Sequence, residues 1–240
     1  PPPVWLLGPS TAHARSSHNV RLAGLWGLGR SVRSEARQPV VCMDAPPKEA
    51  AAYGMALTEP EAVLGEHGWH NGWMLPRLAR MPTIEDSTMS PAEGSHVVTG
   101  GTGGLGLLTG RWLAQRGAFA VALVSRSARL DMSAEWAALQ KSSASALTQQ
   151  CDTGETTHVK QLILSVGGPL VGLWHAAGVL ADALLAKQDA AALTRVFAPK
   201  ANGAVSLHAT CSTLTIRACA FFSSVASLFG GAGQANYAAA

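Results

Sequence analysis

Thr99-Gly-Gly-Thr-Gly-Gly-Leu-Gly106 is the stretch of sequence that decides the fold. Val97 and Val98 precede it as part of a predicted buried strand, and residues 107–115 after it predict a helix. Glycine lets the backbone of such a turn approach a pyrophosphate, and the N-terminus of the helix attracts the anion. The stretch therefore predicts a dinucleotide site. The residues expected to form it are Gly101, Thr102, Gly103, Gly104, Leu105 and Gly106.

The end of the next strand indicates which dinucleotide binds. Residues 119–124 form a continuous apolar run that predicts a second buried parallel strand, and Ser125 and Arg126 follow it. An NAD site needs an acidic residue here for the ribose hydroxyls, yet no Asp or Glu occurs between Leu107 and Leu130. A guanidinium suits a 2′-phosphate, so Ser125 and Arg126 predict NADPH. The alternative interpretation is that Arg126 is a solvated loop charge.

Composition excludes several classes of protein. The chain has 240 residues, of which 48% are apolar and 14% charged, as in a globular α/β protein with a large core. The net charge of +3 is small and the basic residues are dispersed, so we expect no nucleic-acid partner. The four cysteines show no metal-ligand spacing. They predict no metal site and reduced thiols in the cytoplasm, with a plastid or another organelle left open.

Two uncharged stretches, residues 161–181 and 218–240, are long enough to span a membrane. The first contains Gly167-Gly-Pro169 in its middle, and the second contains several polar side chains. Each is better interpreted as a buried strand followed by a loop, which is typical of a parallel sheet covered on both faces. We therefore expect no membrane span.

The chain is predicted to divide at a polar, proline-bearing linker, residues 81–95. This places a structural part at residues 1–92 and a catalytic part at residues 93–240. A helix is expected over residues 20–37, and its three glycines (Gly24, Gly27 and Gly29) fit helix packing rather than a phosphate loop. In the second part, strands predicted to end near residues 152, 174 and 222 alternate with helices, which indicates a doubly wound sheet with ligands at the carboxyl ends of its strands.

Seven motifs, taken together, carry a family resemblance. They are T-G-G-T-G-G-L-G at 99–106, S-R at 125–126, C-D at 151–152, H-A-A-G-V-L at 175–180, P-K at 199–200, F-S-S-V-A-S at 222–227 and G-Q-A-N-Y-A-A-A at 233–240. In this combination the chain resembles the ketoreductase domain of modular polyketide synthases, which belongs to the short-chain dehydrogenase/reductase superfamily. The resemblance implies a Rossmann-like doubly wound parallel sheet. Residues 25–30 and 76–78 resemble the family's preceding structural subdomain, a degenerate Rossmann-like half without cofactor.

The resemblance also implies roles for individual residues. Tyr237 would be the general acid that protonates a ketone oxygen, Ser224 would hydrogen-bond that oxygen, and Lys200 would bind the nicotinamide ribose and assist proton transfer. A free tyrosine titrates near pH 10, so a nearby ammonium is needed for this chemistry at neutral pH. Asp152 would contact the adenine, although an aspartate at a strand end is often a turn former. Ala176, Ala177 and Gly178 would line the cofactor site, and His175 would be structural.

Two positions bear on the configuration of the product. One subtype of the family has Trp where this chain has Phe229, and the other has L-D-D where this chain keeps only Asp182 as the second acid. The presence of Asp182 without the Trp favours the second subtype, which yields the D-hydroxyl product.

The expected function is NADPH-dependent reduction of a β-ketoacyl thioester on the phosphopantetheine arm of an acyl carrier protein. The other domains of the same synthase would be further partners. Alternatives are the same reaction in a fatty acid synthase, a free-standing short-chain reductase, or a non-catalytic ketoreductase retained as a scaffold. The chain stops at Ala240, before an expected Asn and the family's last helices and strands. We therefore expect a fragment that is inactive alone.

Overall fold

The computed structural model describes residues 4–8, 24–36, 39–45, 47–48, 50, 59–64, 73–75, 77–80, 94–130 and 133–240. These residues fall into two compact units. The first unit comprises Pro1–Thr83, Ala181–Leu193 and Ser223–Ala240, and the second comprises Ile84–Leu180 and Thr194–Phe222. Most of the predicted linker, residues 81–93, lies outside the described residues, and the predicted boundary between residues 92 and 93 stays a prediction.

The strands and helices alternate along most of the chain. The strands are β1 (Val4–Gly8), β2 (Val40–Asp44), β3 (Glu61–Leu64), β4 (Trp73–Met74), β5 (Ser95–Thr99), β6 (Ala120–Ser125), β7 (Ser145–Gln150), β8 (Leu170–His175) and β9 (Ala218–Phe221). The α-helices are α1 (Gly24–Glu35), α2 (Gly104–Gln115), α3 (Ala134–Gln140), α4 (Thr156–Ser165), α5 (Ala190–Phe197), α6 (Gly203–Cys211), α7 (Val225–Phe229) and α8 (Ala235–Ala239). A π-helix (Ala198–Asn202) joins α5 to α6, and a 3₁₀ turn covers Leu185–Lys187.

The second unit is built on a parallel five-stranded sheet in the order β7-β6-β5-β8-β9. Strand β5 is buried throughout, and its adjacent residues Val97 and Val98 belong to two separate apolar clusters. One cluster includes Leu113 of α2, and the other includes Val159 of α4. Because the strand order reverses at β5, the chain leaves a crevice between the carboxyl ends of β5 and β8. The predicted doubly wound sheet is confirmed.

The first unit has its own, smaller sheet. Strands β1, β2 and β3 are parallel, and β4 pairs with β3 in the antiparallel sense. Helix α1 packs on this sheet at Gly29, where an added Cβ would lie 2.4 Å from Sγ of Cys42. The glycines of α1 serve close packing, so the interpretation of these glycines as a packing feature is confirmed. Residues 20–23 and 37 of the predicted helix lie outside the described residues.

The other side of α1 contacts the C-terminal helices. An added Cβ at Gly24 would lie 2.3 Å from the carbonyl oxygen of Ala239, and one at Gly27 would lie 1.9 Å from that of Ala238. Both carbonyls belong to α8. Only glycine fits these two positions without displacing α8, because the backbone of α8 occupies the space that a side chain would need.

An ion-pair cluster anchors the C-terminal end of α1. Arg30 donates from Nε and Nη2 to the two carboxylate oxygens of Glu61 at 2.7 and 2.6 Å, and Arg33 donates to the same carboxylate. Arg30 also donates from Nη1 to the carbonyl oxygen of Ser227 in α7 at 2.7 Å. Burial acts to raise the pKa of Glu61, but the two arginines outweigh it and hold that pKa below its usual value. Helix α1 thus ties α7 to the sheet of the first unit.

Several elements differ from the expectations. Residues 161–165 belong to α4 rather than to a strand or loop. Strands β1 and β3 were not predicted. The strand predicted at 119–124 is confirmed to within one residue at each end, and the strands predicted to end near residues 174 and 222 end at His175 and Phe221. Among the described residues, no helix is long and apolar enough to cross a membrane.

Candidate functional site

A cavity of about 720 Å³ opens at the carboxyl ends of the strands of the second unit. Its lining comprises Gly100, Thr102, Gly103, Gly104, Leu105, Gly106, Val124, Ser125, Arg126, Ser127, Cys151, Asp152, Thr153, Ala176, Ala177, Gly178, Val179 and Pro199. Most of the predicted cofactor-binding residues therefore meet at one place. Two of them lie outside the lining. Gly101 is buried beneath it, and Lys200 follows the lining residue Pro199.

The glycine turn between β5 and α2 depends on close backbone contacts. Gly100 has φ +67°, and an added Cβ there would lie 2.6 Å from the carbonyl oxygen of Ala176. An added Cβ at Gly106 would lie 2.3 Å from the carbonyl oxygen of Gly100. Helix α2 starts at Gly104, and its N-cap residue, Gly103, supplies no side-chain cap. The first N–H groups of α2 thus remain available to an anion in the cavity.

Arg126 lies at the rim of the cavity, directly after β6. Its side chain is exposed and forms no salt bridge with the part of the chain that the structure describes. The preceding Ser125 accepts a hydrogen bond at Oγ from the N–H of Ala128 at 3.0 Å. Ser125 thereby shapes the loop that presents the guanidinium, and the guanidinium remains able to pair with a ligand.

Asp152 follows β7, where it forms a local turn and lines the cavity. Its Oδ1 accepts a hydrogen bond from the N–H of Gly154 at 3.0 Å, which forms a local turn. The carboxylate also lines the cavity. Burial, and then the neighbouring Asp152 charge, raise the pKa of the Cys151 thiol to about 11. Cys151 is therefore a neutral thiol in the cavity wall and not a nucleophile at neutral pH.

Lys200 lies on the π-helix, an element that is frequent at functional sites. Its Nζ donates to the carbonyl oxygen of Phe222 at 3.3 Å, and burial lowers the pKa of its ammonium. The backbone carbonyl of Lys200 lies 3.1 Å from Nε2 of His175. A carbonyl only accepts, so Nε2 carries the proton and Nδ1 accepts from the hydroxyl of Thr99, 2.6 Å away. His175 and Thr99 thus link the ends of β8 and β5 to the turn that carries Lys200.

His175 remains neutral in this arrangement. Burial is the main cause that lowers the pKa of His175, the Lys200 charge lowers it further, and hydrogen bonds with the π-helix partly oppose them. Sequence reasoning treated His175 as structural, and Thr99 was considered only as part of the glycine-rich stretch. No pattern in the sequence pointed to their contact with the lysine turn.

Ser224 belongs to the first unit and is the N-cap of α7. Its Oγ accepts a hydrogen bond from the N–H of Ala226 at 3.2 Å. Ser224 therefore has a structural role as a helix cap. An accepting hydroxyl still has its own proton to donate, so capping leaves Ser224 able to hydrogen-bond a ligand oxygen.

Tyr237 lies on α8, also in the first unit, and is half-buried. The preceding Asn236 is fully buried and holds this helix in place. Its Nδ2 donates to the carbonyl oxygen of Ala181 at 2.8 Å, and its Oδ1 accepts from the N–H of Tyr237 at 2.7 Å. Sequence reasoning did not single out Asn236, although it lies within the quoted G-Q-A-N-Y motif.

The two positions linked to product configuration differ in their surroundings. Asp182 lies in a loop whose Ala183 donates its N–H to the carbonyl oxygen of Gly233 at 2.9 Å. The Oδ2 of Asp182 accepts from Nε2 of Gln234 at 3.3 Å. The structure thus brings Asp182 to the turn that precedes Tyr237. Phe229 ends α7 with 61% of its surface exposed.

Comparisons with known proteins agree on one family. The family model described as "KR domain" matches residues 94–240. Polyketide synthase GfsA of Streptomyces halstedii is 33% identical over 224 residues, covering 91% of this chain and 3% of its own length. A phenolphthiocerol/phthiocerol polyketide synthase of Mycobacterium tuberculosis is 40% identical over 170 residues, covering 68% of this chain and 9% of its own length.

Solved structures give the same result. A structure of A-type ketoreductases from a modular polyketide synthase superposes with a TM-score of 0.83 at 30% identity, covering 99% of this chain and 54% of that one. The first ketoreductase of the tylosin synthase superposes with a TM-score of 0.84 at 26% identity and the same coverage. The chain thus spans about half the length of these solved ketoreductases and less than a tenth of the two synthases.

Proposed function

The chain belongs to the KR domain family, the ketoreductases of modular polyketide synthases, and from that premise we propose that it reduces a β-ketoacyl thioester to a β-hydroxyacyl thioester with NADPH. The observation that carries this proposal is the cavity at the strand ends. It combines an uncapped helix N-terminus, a turn in which Gly100, Gly101 and Gly106 leave no room for a Cβ, and an arginine where an NAD site has an acid.

The residues present fit the dinucleotide. The first N–H groups of α2 would bind the pyrophosphate. Gly100 and Gly106 leave no room for a Cβ, so the turn beside this anion site consists of bare backbone there. Arg126 would bind the 2′-phosphate, and Asp152 the adenine. NADPH, when bound, supplies the hydride that reduces the ketone carbon. The remaining task of the chain is to position the ketone and to deliver a proton to its oxygen.

Three side chains would perform that task. The Tyr237 hydroxyl would donate its proton to the ketone oxygen, and Ser224 would donate a hydrogen bond to the same oxygen. Lys200 would bind the nicotinamide ribose. In support, Lys200 is half-buried with a lowered ammonium pKa and a fixed backbone, so it is not an ordinary solvated surface lysine. Asp182 and Phe229 would determine from which side the substrate enters and thus the configuration of the hydroxyl.

The substrate would be presented by an acyl carrier protein. The matched relatives are polyketide synthases of which this chain covers 3% and 9%, so the remaining domains of such a synthase are its proposed partners. The phosphopantetheine arm of the carrier would hold the thioester. We expect the reaction in the synthase polypeptide that carries this chain, and we expect no turnover from residues 1–240 alone.

The test is NADPH oxidation by that synthase polypeptide, supplied with a simple β-ketoacyl thioester. We expect turnover that prefers NADPH to NADH and that is lost on Tyr237→Phe. The chain offers a matched control, because it contains only one other tyrosine, and Tyr53→Phe should retain activity. Full activity of Tyr237→Phe would overturn the assigned proton donor. A protein that binds NADPH but never turns over would favour the non-catalytic scaffold.

A further inference from the structure

Glu35, the last residue of α1, accepts hydrogen bonds from two distant backbone segments. Its Oε2 accepts from the N–H of Leu185 at 2.6 Å, and its Oε1 accepts from the N–H of Gly233 at 2.8 Å. These partners lie 150 and 198 residues further along the chain. Each carboxylate oxygen thus takes one donor, and a single side chain joins two segments that are remote in sequence.

The two segments also contact each other. We call residues 181–185 and 231–236 the loop pair. Ala183 donates its N–H to the carbonyl oxygen of Gly233 at 2.9 Å, and Asn236 donates from Nδ2 to the carbonyl oxygen of Ala181 at 2.8 Å. The loop pair contains Asp182 and leads directly into Tyr237. Any force that holds the loop pair together therefore acts on both of these residues.

The position of Glu35 is not explained by the stability of its own helix. A negative charge at a helix C-terminus is disfavoured, because the helix dipole is negative there. A glutamine would have only one oxygen to offer, whereas a carboxylate accepts from both N–H groups. These charge-assisted bonds are stronger than neutral ones. The side chain at this place therefore suits the two amides of the loop pair better than it suits α1.

We propose that Glu35 is a positioning residue whose carboxylate clamps the loop pair and so keeps Asp182 and Tyr237 in one arrangement. The proposal rests on the proposed ketoreductase function. It assigns the N-terminal third of the chain, which has no chemistry of its own, a direct effect on the reaction. Glu35 acts only through the loop pair and touches no reacting atom.

The primary test is Glu35→Gln in the synthase polypeptide, followed by hydrogen–deuterium exchange. We expect amides in residues 183–187 and 231–235 to exchange about tenfold faster, the factor that corresponds to one net hydrogen bond. We expect kcat to fall about tenfold, with the KM for NADPH changed less than about twofold, because none of the proposed NADPH-binding residues belongs to the loop pair. Glu59→Gln is the matched control. It removes the same charge from an exposed ion pair with Arg77, 2.7 Å apart, and should change neither quantity.

A second variant reaches the clamp from the other side. Leu185→Pro removes the N–H group that donates a hydrogen bond to the carboxylate of Glu35. Proline suits this place, because Leu185 is the first residue of a 3₁₀ turn and Leu184 before it has φ −55° and ψ 148°. We expect Leu185→Pro to speed exchange in residues 231–235 and to lower kcat. The combined effect of the double variant on kcat should be smaller than the product of the two single effects, because both substitutions remove the same clamp.

The exchange measurement separates this proposal from the proposed function. Faster exchange in the loop pair of both variants, with lower kcat, supports the clamp as a positioning device. Unchanged exchange in both variants overturns the clamp, whatever the activity. Faster exchange with unchanged kcat overturns the positioning role. If the unmodified synthase shows no ketoreductase activity but exchange responds to Glu35→Gln, the clamp stands and the proposed function is wrong.

Discussion

Gly27→Ala should reduce activity far more than it reduces stability. An added Cβ at Gly27 would lie 1.9 Å from the carbonyl oxygen of Ala238, whereas ordinary contact begins at 3.4 Å. Helix α8 must therefore retreat by about 1.5 Å, and Tyr237, the residue before Ala238, must move with it. A displacement of about 1 Å in a reacting group costs roughly 100-fold in rate. We expect a loss of kcat of that order.

The effect of Gly27→Ala on the free energy of unfolding should be smaller. Overpacking costs about 1–3 kcal/mol, while alanine in place of glycine within a helix returns about 1 kcal/mol. The net loss is about 0–2 kcal/mol, measurable by urea unfolding beside the NADPH oxidation assay. Ser34→Ala, an exposed change in the same helix, is the control and should alter neither quantity strongly. Wild-type kcat in Gly27→Ala would refute the reasoning, because it would show that α8 can retreat without moving the proposed proton donor.

Three further predictions follow from the cavity and the ion pairs. Arg126→Ala should weaken NADPH binding about 10- to 100-fold and leave NADH binding unchanged in a fluorescence titration, since only NADPH carries the 2′-phosphate; equal losses for both would contradict the assigned contact. His175→Asn should weaken NADPH binding and His175→Gln should restore part of it, because only the longer amide reaches the Lys200 carbonyl; identical affinities would show that this contact does not matter. The depressed pKa of Glu61 contributes stability above the unfolded-state pKa of about 4.3, and this stability is lost as pH falls through the lower folded-state pKa. Urea unfolding across that range should show a weaker pH dependence for Glu61→Gln, and an unaltered pH dependence would mean that its arginine partners contribute nothing.

The second unit, which holds the proposed nucleotide site, was predictable because its signals are local. The glycine stretch, the apolar strands and the residues after them follow from short-range rules on turns and burial. Helix α4 was missed although Val159 and Leu162 have helical spacing and are buried. The uncharged run that begins at residue 161 obscured this spacing.

The contacts that hold the remaining residues were not predictable from local patterns. The Glu35 contacts span 150 and 198 residues, and the hydrogen bond between Thr99 and His175 spans 76. A single sequence shows no sign of such pairs, because neither partner has an unusual neighbourhood. The grouping of residues 181–193 and 223–240 with the N-terminal third has the same origin. The grouping depends on Gly24 and Gly27 of α1, which pack against α8 about two hundred residues further along the chain.

The interleaving of the two units along the chain has a consequence for synthesis on the ribosome. Glu35 must wait for Gly233, 198 residues later, which at about 5–20 residues per second is roughly 10–40 s. During that time Gly24 and Gly27 of α1 have no α8 to pack against. All segments of the second unit have been translated by residue 222, before the last segment of the first unit begins. The nascent chain therefore completes the sheet of the second unit before it adds the segment with the proposed proton donor.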